Sequence, residues 1–189
     1  MRKEVILIGP MGVGKTTTAL LLSEKLQIQS IGLDDIRWYY YYKQGYSIAH
    51  AKALRQEKGF RNGIYPYWKP FEASSVVAML ADFQDCVFHF GAGQSVYEDP
   101  ALFAKVQDAL NNCENVVLLI PSRDHAESLA YLVNRFKERG KTPDEDMVGL
   151  LKLFIEHPSN WTLAKHIVFT KDKSPSIVCD EVLSITQHL

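Results

Sequence analysis

The run Gly9-Pro10-Met11-Gly12-Val13-Gly14-Lys15-Thr16 sits directly behind the apolar residues Val5, Ile6, Leu7 and Ile8. It constrains this chain more than any other feature. It matches G-x-x-x-x-G-K-[ST] at every fixed position, and the pattern requires a buried strand, a glycine loop and a helix in that order. Glycines let the backbone wrap a phosphate with its N–H groups pointing inward, and the helix N-terminus adds a favourable dipole. The expected phosphate-binding residues are Gly9, Gly12, Val13, Gly14, Lys15, Thr16 and Thr17. Lys15 is expected to reach the β- and γ-phosphates, and the Thr16 hydroxyl to bind Mg²⁺. The donor is expected to be ATP, and the chemistry phosphoryl transfer, which rests on positioning and charge neutralisation.

Beyond the loop, short β-branched runs alternate with helical stretches. Residues 4–9, 28–32, 86–91, 115–121 and 166–170 read as strands. Residues 15–26, 99–110, 125–138, 148–156 and 176–188 read as helices. Alternation of this kind predicts an α/β fold of three layers, a parallel five-stranded sheet between helices, in one domain spanning 1–189. Two regions break the alternation. Residues 34–83 are helical without a strand and read as an acceptor-binding insertion. Residues 139–147 read as a lid. Arg135, Arg139 and Lys141 are its candidate cations, and Arg139 is chosen to stabilise the transferring group.

The formal net charge of −1 provides no field to draw the chain onto nucleic acid or an anionic membrane. Four apolar residues before Gly9-Pro10 are too few for a secretory signal, which needs roughly 7–15. No run approaches the roughly 20 apolar residues of a membrane span. The three cysteines, Cys86, Cys113 and Cys179, are far apart and odd in number, and read as reduced thiols in a cytoplasmic protein.

With these features in place the chain resembles shikimate kinase and its relatives among the small P-loop kinases. "GPMGVGKTT" resembles the family's phosphate loop, and Gly91-Ala92-Gly93 its triple-glycine turn beside the acceptor. Asp34 stands at the family's distance from the loop lysine. "PSNWTLAKHIVFT" resembles the segment leading from the lid into the last strand. The resemblance implies ATP and Mg²⁺, with Asp34, Lys69, Gly91, Ala92 and Gly93 at the acceptor and Lys15, Asp34 and Arg139 as catalytic residues. The chain departs from the family at three points. Gly32 replaces an aspartate that helps hold Mg²⁺, and Asp35 is expected to point elsewhere from an extended stretch. Lys69 and Glu72 stand where the family has Arg-x-x-Glu. Glu156 replaces a substrate-gripping arginine, inverting a charge expected to face the acceptor. An acceptor other than shikimate is therefore expected.

"DDIRWYYYYKQGY" and "YPYWKPF" offer either an aromatic-walled pocket or, for the four tyrosines, two core and two surface side chains. Asp34 reads as the group that orients an acceptor hydroxyl and takes its proton, or as a helix N-cap. His89, inside a strand run, reads as a buried packing histidine. Three functions stay open. The first is a kinase acting on a small-molecule hydroxyl. The second is a regulatory nucleotide-binding module or slow NTPase. The third is a nucleoside or nucleotide kinase using Arg37, Arg55 and Arg61.

Overall fold

The computed structural model describes residues 4–186. Its strands are β1 (Val5–Ile8), β2 (Gln29–Gly32), β3 (Cys86–His89), β4 (Val116–Ile120) and β5 (His166–Phe169). Every residue of β1, β3 and β4 is buried. Apolar strands covered on both faces belong in the interior of a parallel sheet. The partly exposed β2 and β5 take the edges, and the order is β2-β3-β1-β4-β5, all parallel. The five-stranded α/β expectation is met. The register sets Gly32 of β2 beside His89 of β3, and His89 beside Leu7 of β1. The carboxyl ends of three strands thus meet along one edge, where ligands bind in open α/β sheets.

The helices are α1 (Lys15–Leu26), α2 (Leu33–Lys43), α3 (Ile48–Gly59), α4 (Tyr65–Asp82), α5 (Pro100–Leu110), α6 (His125–Glu138), α7 (Glu145–Glu156), α8 (Pro158–Leu163) and α9 (Pro175–Ile185). A π-helical turn, Phe60–Ile64, joins α3 to α4. The starts of α1 and α6 fall where their periodicity put them. α5 begins one residue later than expected because Asp99 caps it, accepting from the N–H groups of Ala101 and Leu102. α7 begins three residues before the expected 148 because Asp144 accepts from Met147 N–H. α9 starts at Pro175, capped by Ser174, and ends at Ile185; residues 187 and 188 of the expected helix lie outside the described residues.

Residues 34–83 are helical, as read. Of the four consecutive tyrosines, Tyr40 and Tyr41 are buried and Tyr39 and Tyr42 exposed, so the pair-in, pair-out arrangement is the one adopted. Cys86, Cys113 and Cys179 are buried, and none is in a disulfide among the described residues. No helix among the described residues is long and apolar enough to cross a membrane.

The loop after β1 is pinned against the next strand. Gly9 has φ +132°, and a Cβ there would overlap the carbonyl oxygen of Leu119 in β4. Both the backbone conformation and the space therefore demand glycine. Gly9→Ala is expected to lower the stability to urea by about 3 kcal/mol, combining left-handed strain with overpacking against backbone. An unchanged midpoint would show that the loop does not rest on β4 in this way.

Candidate functional site

The loop delivers its charged groups to the head of α1. Lys15 Nζ turns back across the loop and donates to the carbonyls of Gly9 at 2.7 Å and Pro10 at 2.9 Å. It is buried, and desolvation lowers its pKa to about 8, with the Asp34 carboxylate pulling the other way. Gly12, Gly14, Lys15, Thr16 and Thr17 line a cavity of about 390 Å³, together with Asp34, Asp35, His89 and Arg139. Gly9 and Val13 stand behind this surface. Gly9 rests on β4, and the Val13 side chain belongs to the core.

Asp34 forms the wall between this cavity and a second one of about 130 Å³. It is not a helix cap, since α2 starts at Leu33 with Gly32 as its N-cap. Its Oδ1 accepts from Arg37 Nη1 at 3.2 Å and from Gln94 Nε2 at 3.1 Å. Gln94 is buried, and its Oε1 accepts from Gly91 N–H at 2.6 Å, so one amide ties Asp34 to the glycine turn. A Cβ on Gly91 would lie 2.5 Å from Asp34 Oδ1. Glycine at 91 is thus what lets the carboxylate lie against the end of β3.

The second cavity is walled by Phe60, Tyr65, Trp68, Leu150 and Phe154, floored by Gly91, Ala92 and Gly93, and given polarity by Asp34, Arg37, Glu72 and Gln94. An aromatic pocket is present, with Tyr65 and Trp68 supplied by "YPYWKPF" and none of the four tyrosines of α2 on its wall. Arg37 is held over the rings of Trp38 and Trp68 at 4.7 and 4.8 Å. Its Nε and the Tyr65 hydroxyl are buried without a hydrogen-bond partner among the described residues.

Several expectations need correction. Lys69 does not line the second cavity. Its Nζ is buried at 2.6 Å from both Glu72 Oε2 and the Gly93 carbonyl, over the Tyr65 ring, and the side chain faces a groove on the other side of that ring. Burial pushes its pKa down while the Glu72 carboxylate pulls it back up. Glu156 does not face the acceptor either; it is exposed at the end of α7, 3.9 Å from Lys152. Asp35 does reach the first cavity, because the chain is helical from Leu33 and successive side chains are not flipped to opposite faces. His89 is more than core packing. It lines the first cavity with Nδ1 3.4 Å from Thr16 Oγ1. Burial lowers its pKa, the Asp35 carboxylate opposing.

Arg139, at the end of α6, lines the first cavity, whereas Arg135 lies over Tyr131. Of the arginines considered for an acceptor phosphate, Arg37 alone among the described residues lines the second cavity. Glu72, which stands at the glutamate of the family's Arg-x-x-Glu, lines the second cavity. The sequence does not mark Gln94 or His89 as site residues beyond their nearness to the glycine turn and a strand end. A hydroxyl, two carboxylates and an imidazole face one space, a donor set that fits a divalent cation. No group of three His, Cys, Asp or Glu among the described residues is arranged to hold a metal.

Comparison with known proteins identifies the family and the fold. A family model described as shikimate kinase matches residues 11–187. A shikimate kinase of Hahella chejuensis (strain KCTC 2396) is 28% identical over 185 residues, 96% of this chain and 85% of that one. Shikimate kinase from Acinetobacter baumannii in complex with shikimate superposes with a TM-score of 0.68 at 17% identity, over 98% of this chain and 93% of that chain. A gluconokinase from Sinorhizobium meliloti 1021 gives 0.62 at 14% identity, over 97% and 92%. At such identities the two structures speak to fold alone. The family match is what disfavours a regulatory module without an acceptor.

Lys15 makes nucleotide binding pH-dependent. Only its protonated form attracts a phosphate, and in the free protein that form is half lost near pH 8. ATP affinity is expected to be flat well below that pH and to weaken above it, with proton uptake on binding near zero in the flat range and rising toward one well above pH 8. Calorimetry in buffers of differing ionisation enthalpy reads both. An affinity that strengthens above pH 8 would contradict the assignment.

Proposed function

Because the chain belongs to the shikimate kinase family, a family of small-molecule P-loop kinases, we propose that it transfers the γ-phosphoryl group of ATP to a hydroxyl of a compact acceptor other than shikimate. The observation that carries this reading is Asp34 standing between two adjoining cavities, hydrogen-bonded from both Arg37 and Gln94. A carboxylate there meets a hydroxyl entering from one side and a phosphate lying on the other. In the proposed reaction Asp34 takes the hydroxyl proton, the oxygen bonds to the γ-phosphorus, and ADP leaves with the electrons of the broken P–O bond. Lys15 balances charge on the β- and γ-phosphates. Thr16, with Asp35 nearby, is positioned to hold the Mg²⁺ that neutralises the phosphate oxygens. Arg139 closes from the proposed lid, 139–147, onto the transferring group.

The acceptor's class follows from the second cavity. At about 130 Å³ it is well below the roughly 300–1,000 Å³ of pockets for drug-sized ligands, which argues against a nucleotide acceptor. Its aromatic walls suit the apolar face of a sugar-like ring or polyol, and its polar groups suit hydroxyls. The lysine that aligns with the family's carboxylate-gripping arginine is consumed by Glu72 and the Gly93 carbonyl. Arg37 is already shared with Asp34 and two tryptophans. A shikimate carboxylate would therefore have to compete with Asp34 for the one cation on the wall of this cavity among the described residues.

ADP release from Mg·ATP tests this, with Lys15→Ala as blank, across shikimate, gluconate, simple sugars, nucleosides and nucleoside monophosphates. Stimulation by a neutral polyol or sugar is expected. Preferential stimulation by shikimate would overturn the acceptor argument, and a basal rate indifferent to every compound would overturn the kinase reading. With the responsive acceptor, Asp34→Asn is expected to lower kcat by about 10²–10⁴-fold while ATP affinity stays within a few-fold. Retained kcat would remove Asp34 from the reaction.

A further inference from the structure

The end of β2 carries no side chain, and what fills that space has a function of its own. Gly32 pairs with His89 across the sheet. A Cβ at 32 would overlap Asp35 Oδ2 and His89 Cε1 and lie 2.9 Å from His89 Nε2. Any side chain there would require the imidazole or the Asp35 carboxylate to move. With glycine in place, the ring of His89 is nine-tenths buried and still reaches the phosphate cavity. The one hydrogen-bond partner of the ring among the described residues is the Thr16 hydroxyl, 3.4 Å from Nδ1.

We propose that His89 Nδ1 is a ligand of the divalent cation that arrives with the nucleotide, and that the site favours cations accepting nitrogen, Mn²⁺ or Co²⁺, over Mg²⁺. This rests on the kinase reading above. Two neighbouring ligands of an octahedral cation at about 2.1–2.2 Å stand about 3 Å apart. The Thr16 Oγ1 to His89 Nδ1 separation needs to close by only a few tenths of an ångström to share one ion. Asp35 lines the same cavity and supplies a carboxylate. Since no three acidic, histidine or cysteine side chains among the described residues form a metal site unaided, nucleotide phosphate oxygens complete the sphere. Mg²⁺ is a hard cation that takes oxygen ligands and gives up water reluctantly, whereas imidazole binds first-row transition metals well. Replacing an oxygen donor by imidazole therefore shifts selectivity among divalent cations without abolishing the site.

The experiment uses the full chain with ADP and either Mn²⁺ or Mg²⁺. Nucleotide affinity is measured by calorimetry for wild type, His89→Asn and the double variant Gly32→Asp/His89→Ala. Electron spin echo modulation is recorded on the Mn²⁺ complex with ¹⁵N-labelled ADP, so that any ¹⁴N coupling comes from the protein. Wild type is expected to show that coupling and His89→Asn to lack it. The ratio of Mn²⁺- to Mg²⁺-supported affinity is expected to fall about 10-fold or more in His89→Asn, and in the double variant the preference moves to Mg²⁺. Bound Mn·ADP without ¹⁴N coupling in wild type, or an unchanged ratio in the variant, overturns the proposal and leaves the kinase reading standing. Failure of ADP to bind with either cation overturns both. The wild-type spectrum decides the question even if the variants do not fold.

Discussion

The site depends on one close contact, the Asp34 carboxylate lying where Gly91 has no side chain. Asp34 comes from the first turn of α2, just after β2, and Gly91 follows β3. The parallel register brings those two strand ends side by side. Gln94 then bridges the Gly91 N–H and Asp34 Oδ1, converting a steric opening into a fixed position. A carboxylate held by two donors, with a cavity on either side, has a fixed position, as the proposed proton transfer requires. The phosphate loop, the glycine turn and the aromatic wall are all arranged around that point.

Glycine at 32 and glycine at 91 do the same work on neighbouring strands. Each removes a Cβ so that a polar side chain from elsewhere can occupy a strand end: His89 with Asp35 at one, Asp34 at the other. Buried polar groups are costly unless paired. The cation-bearing chains beside the second cavity each have a carboxylate partner, although Arg37 Nε is left without a hydrogen bond among the described residues. Lys69 is matched by Glu72, and Arg37 by Asp34 and two indole rings. Charge is neutralised in pairs within the acceptor region, so recognition there rests on shape and hydrogen bonds more than on net charge.

Much of this was legible in the residue order. The phosphate loop is a local motif whose eight consecutive positions fix strand, turn and helix together, so Lys15, Thr16 and the start of α1 followed from spacing. Asp34 and Gly91–Gly93 are implied by the resemblance to shikimate kinase, each shortly after a strand run. What stayed hidden depended on contacts between distant segments. The role of His89 needs the β2–β3 register to be known, because its space is granted by a residue 57 positions away (89 − 32). Asp35 was misjudged because one turn of helix beginning at Leu33, rather than extended chain, decides where it points. Lys69 and Glu156 were assigned to the acceptor by alignment with a pattern. In three dimensions one is captured by its helical neighbour Glu72 and the other lies at the exposed end of α7. Short-range chemistry is written in sequence, and the partner that a long side chain will choose is not.

If the missing side chain at Gly91 is what holds Asp34 between nucleotide and acceptor, Gly91→Ala should displace it. The added methyl group has no φ strain to contend with, since Gly91 is extended at φ −61° and ψ 151°, so its effect falls on the carboxylate. Turnover with the responsive acceptor and ATP affinity would be measured on the same folded preparation. The expected result is a kcat lower by about 100-fold or more with ATP affinity within about 3-fold of wild type, the signature of misplaced catalytic geometry. Full turnover in the variant would contradict it.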